Sequence, residues 1–261
     1  IVINILQIRV KCVFQLFLEK FFYLRKQIGV YFNMSNSTFF KSIGYKVLMA
    51  LSGFFLMFFL VQHLTINLLS IFSADNFNEV SHFMGTNPLV QFLLQPVLIF
   101  AVVFHFIMGM FLEYRNNKAR EVNYAFNKPN ANSTWMSRNM IISGLTVLAF
   151  LVLHFIDFWI PEISTKYVTG DMSGLLPSGE FRYHHELQEK FIHVERVIAY
   201  VVSFVFLSLH LMHGFQSSFQ SVGFRQNKNM VFLSKLSYLF AVLIPAGFIS
   251  VALFHYLSHS H

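Results

Sequence analysis

Five long apolar stretches divide the 261-residue chain. Each contains few or no charged residues and is long enough to cross a bilayer, which takes about 20 residues of helix. Helices of water-soluble bundles rarely keep such uncharged lengths. The pattern therefore predicts an all-α membrane protein, with a single domain over residues 34–261 and five transmembrane helices at about 45–72, 91–114, 139–160, 195–218 and 233–257.

Residues 1–33 differ from the rest because their apolar positions are interrupted by Arg9, Lys11, Glu19, Lys20, Arg25 and Lys26. The stretch lacks a small-residue cleavage site and so makes a poor signal peptide. Met34 opens the segment MSNSTFFKSIGYK, which is typical of a natural N-terminus. We expect 1–33 to be a non-native extension. The alternative is an amphipathic helix that lies on the membrane surface.

The charged residues between the spans predict the orientation of the bundle. Residues 73–90 contain no Lys or Arg, and the 161–194 segment contains three, Lys166, Arg182 and Lys190. The opposite side carries ten basic residues even without 1–33: Lys41, Lys46, Arg115, Lys118, Arg120, Lys128, Arg138, Arg225, Lys228 and Lys235. By the positive-inside rule the N-terminus is cytoplasmic and the C-terminus outside. This placement accounts for the basic pI without a nucleic-acid partner.

Four histidines lie within the apolar stretches, one in each of the first four: His63, His105, His154 and His210. An ionisable residue inside a membrane is costly and marks a functional site by default. Each lies past the middle of its span, and alternate spans run in opposite directions. His63 and His154 therefore share the outer half of the bundle, and the other two share the inner half. Two imidazoles at one depth can bind one haem iron, so the sequence predicts two bis-histidine sites, separated in depth by roughly 11 Å.

Glycine spacing repeats this pairing. Gly53 and Gly144 each precede a histidine of the outer pair by ten residues, and Gly109 and Gly214 each follow one of the inner pair by four. A porphyrin is a wide plate, so we expect these glycines to provide clearance for it. The alternative is that they only allow close helix packing.

The other candidate ligands and cofactors are fewer. The single cysteine, Cys12, excludes an intrachain disulfide and an iron–sulfur cluster within the chain, and the absence of CxxCH makes any haem b-type. His213 competes with His210, but only His210 has the HxxxG spacing of His105. His255 has no partner at its depth and is predicted to be interfacial.

With these residues in place, the sequence resembles a known family. The matching segments are QHLTIN at 62–67, FNEVSHFMGTNP at 77–88, HFIMG at 105–109, LH at 153–154 and HLMHGFQSSFQSVG at 210–223. They are similar to the single-chain, five-helix dihaem cytochrome b subunit of bacterial succinate:quinone oxidoreductases, including quinol:fumarate reductases. The wording HGFQSSFQSVGF is most similar to the Bacteroidetes form.

The resemblance implies a subunit of an enzyme, located in the bacterial cytoplasmic membrane. It would anchor a flavoprotein subunit and an iron–sulfur subunit at the cytoplasmic face. Electrons would pass through two b haems to or from a membrane quinone, expected to be menaquinone. The family's four axial ligands fall on His63, His105, His154 and His210. Some dihaem fumarate reductases carry a Glu two residues before the fourth ligand, where this chain has Ser208, which puts proton movement through that position in doubt.

A quinone site needs a titratable group at the end of the electron path. The site is expected near the outer haem, where Glu79, His82 and Asp157 are the candidates; ordinary solvated polarity is the alternative for each. Glu113 and Arg115 would mark the inner interface or contact a haem propionate.

Two other functions remain open from the sequence. One is the cytochrome b subunit of another dehydrogenase, such as a formate dehydrogenase or hydrogenase, in which two ligands share a helix. The other is a haem-free proton-coupled transporter, which is expected to contain inverted repeats.

Overall fold

The computed structural model describes residues 42–118, 140–224 and 227–259. The predicted extension 1–33 lies outside them, as does most of the basic segment between the second and third spans. The described residues belong to one compact unit. Their secondary structure is helical, apart from an isolated bridge between Leu175 and Phe181.

Five helices of the described part are long and apolar enough to cross a membrane, which confirms the predicted fold class. They are α1 (Ser42–Phe72), α3 (Val90–Lys118), α4 (Met140–Val168), α6 (Val194–Ser221) and α7 (Asn227–His259). Two short helices connect them, α2 (Ala74–Thr86) and α5 (Tyr183–Lys190).

Large apolar side chains cover the outside of the bundle. Phe58 is 72 % exposed, Phe92 71 % and Phe100 68 %, on two different helices. A water-soluble protein does not present so much contiguous apolar surface, whereas hydrocarbon solvates it without cost. These surfaces therefore face lipid.

The core lies where α1, α6 and α7 meet. Leu64 on α1, Phe204 and Leu211 on α6, and Phe248 on α7 are all buried in one apolar cluster. Helix α6 also packs against α4, and α3 packs against α1. This arrangement surrounds α6 with partners and brings α3 and α4 to the edges of the bundle.

Helix α4 is longer than the predicted span, which was expected to stop before Pro161. It continues through Pro161 to Val168, with π-helical turns at Phe155–Trp159 and Ser164–Val168. A proline normally clashes with the carbonyl four residues earlier, here that of Asp157. Asp157 lies in the wider π-helical turn, which makes room for the proline ring.

The connections on one side of the bundle fold into a cap, which we define as residues 73–89 and 169–193. Ser73 caps α2 by accepting a hydrogen bond from the Asn76 N–H (3.2 Å). The His184 N–H donates to Asn78 Oδ1 (2.8 Å), which joins the two parts of the cap.

His255, predicted to be interfacial and without a partner at its depth, does have partners within the protein. Its side chain is fully buried at the cap end of α7. The His255 ring lies 5.4 Å from that of His184, and its Nε2 is 2.8 Å from Ser70 Oγ. The missed signal was that the cap folds back over the end of α7, which no local sequence pattern indicates.

Candidate functional site

His63 and His154 face each other between α1 and α4. Their ring centres are 5.8 Å apart and their planes are inclined by 84°. Phe59 stacks on the His63 ring at 5.3 Å, and Phe150 and Phe158 flank His154 at 5.8 and 5.2 Å. Aromatic rings therefore flank both imidazoles, and the Asn67 amide nitrogen lies 3.5 Å from His63 Nε2.

His105 on α3 and His210 on α6 form a second facing pair. Their ring centres are 6.3 Å apart and their planes are inclined by 68°. The pairs are therefore the two that equal depth predicts. Each histidine comes from a different helix, and each pair takes one histidine from the first two membrane helices and one from the next two.

Serines that the sequence reasoning missed lie against the second pair. Ser52 Oγ is 2.9 Å from His105 Nδ1, and Ser143 Oγ is 3.4 Å from His210 Nδ1. Both hydroxyls also donate to a backbone carbonyl of their own helix, that of Met49 or Met140. A sequence signal existed, since the motif Met-x-x-Ser-Gly occurs at 49–53 and again at 140–144.

The glycines of this motif are packed against the same imidazoles. A Cβ added at Gly53 or at Gly144 would lie 3.6 Å from the Cε1 atom of His105 or His210, respectively. At Gly53 it would also lie 3.1 Å from Ser218 Oγ, which is tighter than an ordinary contact. These two glycines therefore adjoin the second histidine pair, although their spacing relates them to the first.

Gly109 and Gly214 occupy matching positions on α3 and α6. A Cβ at Gly109 would meet Met49 Cε at 3.5 Å, and one at Gly214 would meet Met140 Cε at 3.6 Å. The thioether ends of the motif's methionines thus fill the space beside both glycines. Helices α1 and α3 form one copy of this arrangement, and α4 and α6 form the other.

Asp157 lies one turn beyond His154 and is 3 % exposed. Tyr200 Oη donates to its Oδ2 (2.8 Å), and Arg196 Nη1 lies 3.1 Å from its Oδ1. The Tyr200 ring is also 6.4 Å from the His154 ring. A carboxylate, a phenol and a guanidinium are therefore grouped beside the first histidine pair. The sequence reasoning missed Arg196. It lies in the first turn of α6, on the side of the bundle where the span that contains Asp157 ends.

The other two candidates for a quinone site lie in the cap. Glu79 is exposed on α2. His82 is half-buried, with Nδ1 3.3 Å from Tyr183 Oη and its ring 4.6 Å from that of Phe181. Neither has a contact with Asp157 that would join the three candidates into one site.

A buried ion network lies beside His82. Glu162 contacts Lys166 Nζ at 2.5 Å and also pairs with Arg182, which bonds Glu186 as well. Burial, followed by the charge of Glu162, raises the pKa of Tyr183 to about 12. The phenol therefore remains protonated throughout the physiological range and acts only as a neutral hydrogen-bonding group.

The inner-end candidates make local contacts. The Arg115 guanidinium lies 5.3 Å from the Tyr45 ring and 5.7 Å from that of Phe111, as in cation–π pairs. Glu113 accepts a hydrogen bond from Asn117 (3.1 Å). His213, three residues after His210, is not a member of either facing pair.

The separation of the imidazoles in both pairs would allow each pair to hold a b haem. Two imidazoles that bind one iron from opposite sides, with metal–nitrogen bonds of about 2 Å, have ring centres about 6 Å apart. The observed separations of 5.8 and 6.3 Å match this value. His154 Nδ1 is buried without a hydrogen-bond partner among the described residues, a cost that suits a histidine placed for a ligand. Within the same residues no cluster of three or more His, Cys, Asp or Glu could hold a bare metal ion.

Comparison with known proteins gives one relevant similarity. Over 98 residues the chain is 28 % identical to the succinate dehydrogenase cytochrome b558 subunit of Bacillus subtilis (strain 168). The alignment covers 37 % of this chain and 45 % of that protein, so the chain matches a little under half of the relative's length. No protein-family model and no solved structure matches.

Proposed function

We propose that this chain is a dihaem cytochrome b that anchors a succinate:quinone oxidoreductase in the bacterial cytoplasmic membrane. The observation that carries the proposal is the arrangement of four imidazoles, one from each of four membrane helices, in two facing pairs. A single buried histidine is adequately explained by a hydrogen-bonded core residue. Two pairs, each at the separation of axial ligands, are not.

In this proposal His63 and His154 hold the outer haem, and His105 and His210 hold the inner one. Bound haem supplies reversible one-electron exchange. The chain fixes the two sites at different depths, so electrons can move between the membrane faces. Gly53 and Gly144 keep the space beside the imidazoles of His105 and His210 free of a Cβ. Gly109 and Gly214, which adjoin the methionines of the motif, would give clearance to the porphyrin. The basic residues flanking the inner ends orient the N-terminus towards the cytoplasm.

The similarity to the B. subtilis cytochrome favours succinate dehydrogenase over other dehydrogenases as the enzyme that this subunit completes. The partners would be an iron–sulfur subunit and a flavoprotein subunit at the cytoplasmic face. The inner haem would exchange electrons with the iron–sulfur subunit, and the outer haem with a quinone, expected to be menaquinone.

Asp157 is the leading candidate for the proton-exchanging group of the quinone site. It is buried, one turn from His154, and accepts a hydrogen bond from the Tyr200 hydroxyl, so its carboxylate is held in a fixed position beside the histidine pair. His82 and Glu79 lie further out in the cap and would serve proton exchange with the outside. Asp157→Asn is expected to slow quinone turnover while both haems remain bound.

Reduced-minus-oxidised spectra of the purified membrane subunit test the proposal. Two b haems per chain are expected, and His63→Ala and His105→Ala are expected to lose different ones. His213→Ala is the matched control, because it changes a histidine of the same helix as His210 and is expected to keep both haems. Absence of haem from the unmodified chain, or loss of the same centre in both variants, would refute the proposal.

A further inference from the structure

The Met-x-x-Ser-Gly motif places a hydroxyl at Nδ1 of one histidine pair. Ser52 Oγ is 2.8 Å from the Met49 carbonyl oxygen and 2.9 Å from His105 Nδ1. A hydroxyl has one proton, and a carbonyl oxygen can only accept. The serine hydroxyl therefore donates its proton to the carbonyl oxygen, and the serine oxygen accepts a hydrogen bond from the histidine ring. It follows that His105 carries its proton on Nδ1.

The same argument applies to the other copy of the motif. Ser143 Oγ is 2.9 Å from the Met140 carbonyl oxygen and 3.4 Å from His210 Nδ1. Its bond to the histidine is longer and correspondingly weaker. In both rings the proton on Nδ1 leaves the lone pair on Nε2, the nitrogen that points away from the serine.

The other histidine pair lacks this support. His154 Nδ1 has no hydrogen-bond partner among the described residues. His63 is approached by the Asn67 amide, at 3.5 Å from Nε2 rather than at Nδ1. Of the two facing pairs, only His105 and His210 therefore have a serine at Nδ1. The other buried serine contact, that of Ser70 with His255, is made at Nε2.

We propose that Ser52 and Ser143 are positioning residues for the inner haem: they fix the Nδ1–H tautomer of His105 and His210, direct Nε2 at the iron, and lower the potential of that haem. The inference rests on the proposed function. A hydrogen bond accepted from Nδ1–H makes Nε2 more basic. A more basic ligand stabilises ferric over ferrous iron, so removing the hydroxyl raises the midpoint potential.

A redox titration of the full complex tests the effect on potential. Ser52→Ala is expected to raise the midpoint of the haem that His105→Ala removes, with a change in ferric preference on the order of tenfold, about 59 mV for one electron. Ser143→Ala is expected to give a smaller rise, because its hydrogen bond is longer. Ser52→Thr, which keeps the hydroxyl, is expected to restore the original value.

The matched control is Ser203→Ala on α6. Ser203 is a similarly buried serine whose hydroxyl donates to the Ala199 carbonyl of its own helix (2.7 Å). Both potentials are expected to stay unchanged in it. An unchanged or more negative inner potential in Ser52→Ala, or an equal shift of both haems, would overturn the inference.

A second measurement reads the tautomer without haem. In the full-length chain purified haem-free and labelled with ¹⁵N-histidine, the His105 signal, assigned by its loss in His105→Gln, is expected to show a protonated Nδ1. In Ser52→Ala it is expected to move towards the Nε2–H form. An Nε2–H form in the unmodified chain, or no change in the variant, would refute the inference. Because this experiment needs no haem, it separates failure of the serine role from failure of the proposed function.

Discussion

Gly247 on α7 lies against Leu64 of α1, and replacing it with alanine is expected to destabilise the bundle. A Cβ at this position would lie 2.8, 2.9 and 3.3 Å from Leu64 Cδ2, Cδ1 and Cγ. Carbon atoms prefer about 3.5–4.0 Å. Because both methyls of Leu64 are too close and that side chain is only 8 % exposed, rotation of the leucine gives little relief.

The magnitude follows from two opposing terms. Adding a methyl group to a packed core costs about 1–3 kcal/mol. Alanine recovers up to about 1 kcal/mol of helix propensity over glycine. Contacts below 3 Å place the cost at the upper end of its range, so the expected loss for Gly247→Ala is about 2 kcal/mol. Leu64 follows His63 directly, so the displacement is also expected to reach the His63–His154 pair.

A double-mutant cycle with Leu64→Ala isolates the contact. Leu64→Ala alone is expected to cost about 2–5 kcal/mol, but it removes the atoms that the new Cβ would strike. The double variant is expected to be more stable than the sum of the single changes by about 1 kcal/mol. Reversible unfolding in mixed micelles, followed by circular dichroism, measures all three.

Ser250→Ala, on the exposed face of the same helix, is the control and is expected to leave stability unchanged within about 0.5 kcal/mol. A Gly247→Ala variant as stable as the unmodified chain, or strict additivity in the cycle, would refute this reasoning.

Three further results are expected. Arg196→Gln leaves the buried carboxylate of Asp157 without its cation and is expected to cost about 3 kcal/mol of unfolding free energy. This is the lower end of the range for buried pairs, because the arginine is partly exposed. The double variant with Asp157→Asn is expected to recover much of that loss in the same unfolding assay. Gly174→Ala is expected to loosen the cap, as measured by hydrogen exchange, more than Gly179→Ala does: both glycines have positive φ, but only at Gly174 would a Cβ meet Tyr183 Oη, at 2.6 Å. Since the pKa of Tyr183 is raised to about 12, its contribution to cap stability is complete below pH about 10 and lost as the pH rises through 12, a dependence that Tyr183→Phe should abolish.

The fold and the histidine pairs were accessible from the sequence because the membrane restricts what a chain can do. Apolar stretches of this length must be helices, and successive helices must alternate in direction. Depth along each span then decides which histidines can meet. His63 with His154, and His105 with His210, are the pairs that the structure brings together.

Contacts that depend on rotation about a helix axis were not accessible. The hydroxyl of Ser52 reaches His105, and Arg196 reaches Asp157, only because their helices present those faces to each other. An almost uniformly apolar helix has no polar face from which its rotation could be read. The π-helical turn at Asp157, which allows α4 to continue through Pro161, shifts the register again and has no local sequence signature.

The division of each histidine pair between the two halves of the chain imposes an order on biogenesis. As helices enter the membrane from the N-terminus, α1 and α3 deliver one imidazole to each site and complete neither. Arrival of α4 completes the His63–His154 site, and only α6 completes the His105–His210 site. Haem could therefore bind at the His63–His154 site before it could bind at the His105–His210 site. The second site is the one nearest the proposed cytoplasmic partners. A chain whose synthesis stops before α6 would therefore lack the haem site that lies nearest the proposed cytoplasmic partners.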